Sequence, residues 1–129
     1  MTALPAESVK DLPAERDYLA PDGSEIRLLL SYARGGLAHC TLPPGKTSSA
    51  VRHRTVDELW YFLDGRGEIW VESLDEPVEV GPGRCVAIKA GDAFQFRATG
   101  AEPLVFLIAT MPEWPGPHEA EAVQGRWAV

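Results

Sequence analysis

Gly45-Lys-Thr-Ser-Ser-Ala-Val-Arg-His-Arg-Thr-Val-Asp-Glu-Leu-Trp-Tyr-Phe-Leu-Asp-Gly65 is the stretch that decides how this chain is read. It leaves a Pro43-Pro44-Gly45 turn and enters a polar strand, Val51 to Thr55. There, alternation puts Val51, His53 and Thr55 on one face and Arg52 and Arg54 on the other. Glu58-Leu-Trp-Tyr-Phe-Leu63 follows as an almost wholly apolar strand, and Asp64-Gly65 closes it with a strong hairpin signal. Turn, strand, turn, strand, turn within one short stretch is the rhythm of an all-β domain.

The same rhythm continues outward. Upstream, Pro21 to Ser24 is a turn by composition, Glu25 to Tyr32 reads as a strand, Arg34-Gly35-Gly36 breaks it, and Leu37 to Leu42 is the next strand. Downstream, Glu68 to Glu72, Val78 to Val80, Cys85 to Ile88, Phe94 to Arg97 and Leu104 to Ala109 are strands separated by Gly-, Pro- or Asp-rich turns. Nine short strands with no capped helix predict an antiparallel sandwich or closed barrel. Residues 1–23 read as an extended arm in which Val9, Leu12 and Leu19 can dock on a sheet; 24–112 read as the barrel. In the tail, 113–129, the prolines exclude a central strand, so it is expected to lie on or across the barrel, anchored by Trp114 and Trp127.

Length and composition set the outer bounds. A chain of 129 residues makes one domain with a real core. A formal charge of −7 repels phosphate backbones and anionic membranes, so neither nucleic acid nor membrane is an expected partner. The N-terminus has no basic-then-apolar leader pattern and no apolar run is long enough to span a bilayer, so the expected location is the cytoplasm. Cys40 and Cys85 lie far apart and read as two buried, reduced thiols. The segments 28–30, 58–63 and 104–109 are apolar on both faces. One face fills the core; the other must also leave water, which points to a homodimer.

At this point the residues resemble the cupin superfamily of small double-stranded β-helix (jelly-roll) barrels. The family's first motif sets a Gly, five residues, His-x-His, three or four residues, Glu, six residues and a Gly. Here the same spacing holds Gly45, Val51-Arg52-His53, Glu58 and Gly65. The second motif sets a Gly, five residues, Pro-x-Gly, two residues, His, three residues and Asn. The spacing recurs as Gly83, Lys89-Ala90-Gly91, Phe94 and Ala98, with different chemistry. The resemblance implies an all-β antiparallel jelly roll with a pocket inside it. It carries the family's metal positions onto Val51, His53, Glu58 and Phe94, of which only His53 and Glu58 are ligands. Two donors leave a divalent transition metal such as Fe, Mn, Ni or Zn mostly hydrated, so no firmly held cofactor is expected. Asp57 and Gln95 neighbour these positions but alternation turns them away; His39 can serve as a third ligand only if it faces inward.

The ordinary reading of His53 is a pocket histidine hydrogen-bonded to Glu58; the sharper one is a metal ligand or general base. Glu58 can ligate, orient His53, or pair with Arg52 or Arg54 at the rim. Val51, Trp60, Phe62, Phe94 and Phe96 complete the expected pocket, although each aromatic can equally be plain core. Arg66 and His118 read as surface groups. Three functions follow: a small-molecule-binding protein with an apolar pocket and a His–Glu pair, with or without metal-free acid–base chemistry; a metal-dependent dioxygenase or isomerase recruiting a third ligand; or a structural dimerisation module with a filled barrel.

Overall fold

The computed structural model describes residues 8–129. The first seven residues of the expected arm, where the leader pattern was sought, lie outside the described residues. Eleven strands follow in chain order: β1 Tyr18–Leu19, β2 Glu25–Tyr32, β3 Gly35–Leu42, β4 Val51–His53, β5 Asp57–Asp64, β6 Gly67–Val71, β7 Val78–Val80, β8 Cys85–Ile88, β9 Ala93–Ala98, β10 Leu104–Met111 and β11 Ala120–Ala122. They form two antiparallel sheets, ordered β1-β2-β3-β10-β5-β8 and β11-β4-β9-β6-β7. The fold is all-β with jelly-roll topology. The two sheets face each other with free edges rather than closing into a continuous barrel.

Period-two alternation builds the core between the sheets. Along β5, Glu58, Trp60 and Phe62 are buried, whereas Leu59 and Tyr61 stay 43% and 47% exposed. Trp60 stacks on Phe106 with ring centroids 4.4 Å apart, and Phe62 lies 4.8 Å from the same ring. Each such aromatic, fully withdrawn from water, contributes roughly 2–3 kcal/mol. At the end of β5, Gly65 has φ 81°. A Cβ there would be strained and would run into the Pro103 carbonyl oxygen, so the motif's second glycine is held by a turn and by close backbone packing.

The chain ends depart from expectation. Val9, Leu12 and Leu19 are exposed rather than docked; Tyr18 and Ala20 pack on the core in their place, because β1 adds to the edge of β2 with Tyr18 opposite Ile26. Beyond its prolines the tail does form a strand: β11 pairs with β4, placing Ala120 opposite His53. Edge pairing needs backbone donors from one side only, and residues 120–122 supply them. Glu119 locks this strand by accepting from the Thr55 hydroxyl at 2.6 Å and the Val56 amide at 2.9 Å. The end of the tail, after β11, covers the outer face of the smaller sheet. There the buried Gln95 exchanges two hydrogen bonds with the Trp127 backbone, and Arg97 sits 4.2 Å over the Trp127 ring. Cys40 is buried, but Cys85, expected inside, is exposed because its place on β8 puts it on the outer face opposite Tyr61.

Candidate ligand cavity

A cavity of about 550 Å³ opens between the two sheets near the start of β5 and the end of β10. Its walls are largely apolar. Val51, Trp60, Phe94 and Ile108 form the floor, and Trp114 of the tail closes over it. The His53 ring lies edge-on between Phe94 and Trp114, with centroids 5.1 Å from each. Phe62 and Phe96, expected at the wall, do not line the cavity. Both are 0% exposed and fill the core beneath it. A second, polar groove of about 770 Å³, lined by Arg66, Glu68, Glu79 and Arg84, lies at the far end of the sheets among the turns. It is a cleft between charged turn residues, and none of the sequence's candidate site residues reaches it.

Strand parity brings His53 and Glu58 to one end of the cavity, both about 95% buried. They do not form the expected hydrogen bond. His53 Nδ1 stands 3.8 Å from Glu58 Oε1 and has no partner, while that same oxygen accepts from Trp60 Nε1 at 2.8 Å. Burial pushes the Glu58 carboxyl up to about 8, helped by the charges of Asp22 and Glu119 and opposed by the Trp60 hydrogen bond. Burial likewise pulls His53 down to about 4, against the charge of Glu119. At neutral pH the pair is therefore a neutral imidazole beside a protonated carboxyl. Neither rim arginine reaches Glu58: Arg52 pairs with Glu72 and Arg54 with Glu121.

Trp114, expected as an anchor of the tail across the barrel, lines the cavity; Asp22 and Tyr18 also line it, and sequence reading did not place them there. Asp22 was read only as a turn residue and Tyr18 as part of the arm. Asp22 Oδ1 accepts from the Ser24 amide and hydroxyl, yet desolvation still raises its carboxyl above the usual range. Nothing local to Asp22 or Tyr18 signals a pocket, since β1 and the following turn reach it only by adding to the sheet edge.

The donor set falls short of what the divalent metal implied by the motif positions requires. Val51 and Phe94 face each other across β4 and β9 and offer only methyl groups and a ring. His39 pairs with Leu107 on the outer parity of β3, between the inward Ala38 and Cys40, so it cannot join His53. Asp57 points outward and accepts from the Ala90 amide. Among the described residues no three His, Cys, Asp or Glu side chains come together. The residues present do not fit a tightly held metal, and the enzyme reading that needed His39 as third ligand fails on that parity.

The model of the cupin domain matches residues 38–110. The chain belongs to the cupin family. A relative, "Uncharacterized protein MJ1618" of Methanocaldococcus jannaschii, is 30% identical over 109 residues, 81% of this chain and 84% of that protein. Among solved structures, an uncharacterized conserved protein with a double-stranded β-helix domain from Klebsiella pneumoniae superimposes with a TM-score of 0.68 at 16% identity, covering 92% of this chain and 93% of its own. The plu4264 protein of Photorhabdus luminescens gives 0.68 at 19% identity, over 81% and 87%. At these identities the structures show the shared cupin fold.

Proposed function

We propose that this cupin binds a small, largely apolar molecule in the cavity between its sheets, with the ligand's polar group at His53 and Glu58. The carrying observation is the cavity itself: about 550 Å³, walled by Trp60, Phe94 and Trp114, with an unpartnered histidine nitrogen at its polar end. That volume is within the usual range of small-molecule sites, and a few polar groups in an apolar wall are what orient such ligands. A filled structural module would instead carry no space beyond a few waters. The neutral His53 and protonated Glu58 together present an acceptor and a donor without any metal. Ligand-observed NMR with aromatic fragments tests the reading. Fragments should bind the wild type and be lost in Ala38→Phe, which projects into the cavity; no fragment binding to the wild type overturns it.

We further infer that the protein works as a homodimer in the cytoplasm. Leu37, Leu59 and Tyr61 are 40–47% exposed on the outer face of the larger sheet, and a second copy is the simplest cover for such a face. Light scattering should give twice the chain mass, falling to one chain in Leu59→Lys with Tyr61→Lys; a wild-type monomer at micromolar concentration refutes it.

A further inference from the structure

We infer that the cavity is selective for an organic cation, a protonated amine on an apolar body, whose ammonium lodges between Glu58, Asp22 and the aromatic walls. This rests on the small-molecule reading above and names its ligand class. The charge inventory of the lining is one-sided. Asp22 and Glu58 both line the cavity, and no lysine or arginine does. The arginines nearby are committed elsewhere: Arg52 to the Gly91 carbonyl and Glu72, Arg54 to the His118 carbonyl and Glu121, Arg27 to the Pro13 carbonyl. A carboxylate or phosphate ligand would find no cationic side chain in the lining.

The walls favour the same ligand. Trp60 and Phe94 stand at a centroid distance of 5.3 Å with their planes nearly perpendicular, and Trp114 covers the opposite side of His53. Aromatic faces around a desolvated site attract cations through their quadrupoles. His53 supplies a further acceptor: it is about 95% buried, its Nδ1 has no partner, and Glu58 Oε1 lies 3.8 Å away. In the Nε2–H tautomer, one nitrogen bearing several N–H groups can address both atoms. Burial holds Glu58 protonated at neutral pH, and an adjacent ammonium supplies the charge that lets it ionise. The chain's net charge of −7 adds long-range attraction for cations and repulsion for anions.

Three probes of similar size decide the matter: benzylamine, benzyl alcohol and benzoate, titrated by calorimetry into the full chain, its Glu58→Gln and its Asp22→Asn variants. Benzylamine should bind at least ~10-fold more tightly than benzyl alcohol, with benzoate weakest. Glu58→Gln should bring benzylamine down to the level of benzyl alcohol in the same variant, since glutamine keeps an oxygen for the Trp60 indole but carries no charge. Thermal unfolding of each variant checks that it is folded. If Glu58→Gln is not folded, Asp22→Asn carries the same test, with a weaker loss of benzylamine binding expected. Equal binding of benzylamine and benzyl alcohol, or tighter benzoate, overturns the cation assignment and leaves the small-molecule reading standing. No binding of any probe at ~10 mM overturns both.

Discussion

The Trp60 indole donates a 2.8 Å hydrogen bond to Oε1 of Glu58, two residues back on the same face of β5. This sets an indole donor in the cavity floor against a buried acid, and it opposes the upward push of burial on that acid. Trp60→Phe keeps the stacking on Phe106 but removes the donor. We expect a loss of about 2 kcal/mol for the lost bond and the unsatisfied oxygen, read by chemical denaturation. The Glu58 carboxyl should titrate at still higher pH in an NMR titration.

Glu58 and His53 pull stability in opposite directions as pH changes. Glu58 titrates near 8 folded against 4.5 unfolded, so its contribution is fully present below 4.5 and is lost as pH rises to 8. His53 titrates near 4 folded against 6.5 unfolded, so its contribution grows with pH between those values. Between about pH 4.5 and 6.5 the two slopes cancel. From 6.5 to 8 only Glu58 acts, and stability should fall by about 2 kcal/mol. Glu58→Gln should abolish that alkaline loss in denaturant melts at pH 6.5 and 8; an unchanged slope would exclude Glu58 as its source.

Val51 and Phe94 occupy the two motif positions that lack donors. Restoring them with Val51→His and Phe94→His surrounds Glu58 with three imidazoles. Elemental analysis after dialysis against a divalent transition metal should give about one ion per chain in the double variant. The wild type, with two donors, should retain far less than one.

Gln95 is fully buried and joins the Ser48 carbonyl to the Trp127 backbone through three hydrogen bonds. Gln95→Ala should cost about 2–3 kcal/mol and speed hydrogen exchange at residues 123–129. Gly125→Ala should free the tail in the same way, because a Cβ there runs into the Gln95 side-chain oxygen and the Ala50 methyl.

Glu119 holds the turn before β5. Burial alone would raise its carboxyl, but hydrogen bonds from Thr55 and Val56 outweigh this and hold it below the usual range. Its contribution is therefore present at neutral pH and lost on acidification. Glu119→Ala should cost about 2 kcal/mol at pH 7 and loosen β11. Faster quenching of Trp114 fluorescence by acrylamide would report the uncovered cavity.

Most of the strand order was legible because it is written locally. Alternation and Gly- or Pro-rich turns mark β2 through β10 within a residue or two, and Gly65 and Gly83, at φ 81° and 93°, carry their turn geometry in their own identity. The parity that pairs His53 with Glu58 is local as well, since a strand's side chains alternate whatever it pairs with. What escaped was decided by pairing between distant segments. β1 and β11 are too short to show a period, and they exist because β2 and β4 offer free edges. The inward or outward sense of His39 depended on which face of β3 met β10, a matter of register that one strand alone does not state. Asp22, Glu58, His53 and Trp114 come from four separate segments. Only the closing of two sheets and a tail around one space makes them neighbours, and only their joint burial sets the charge and proton state of that space.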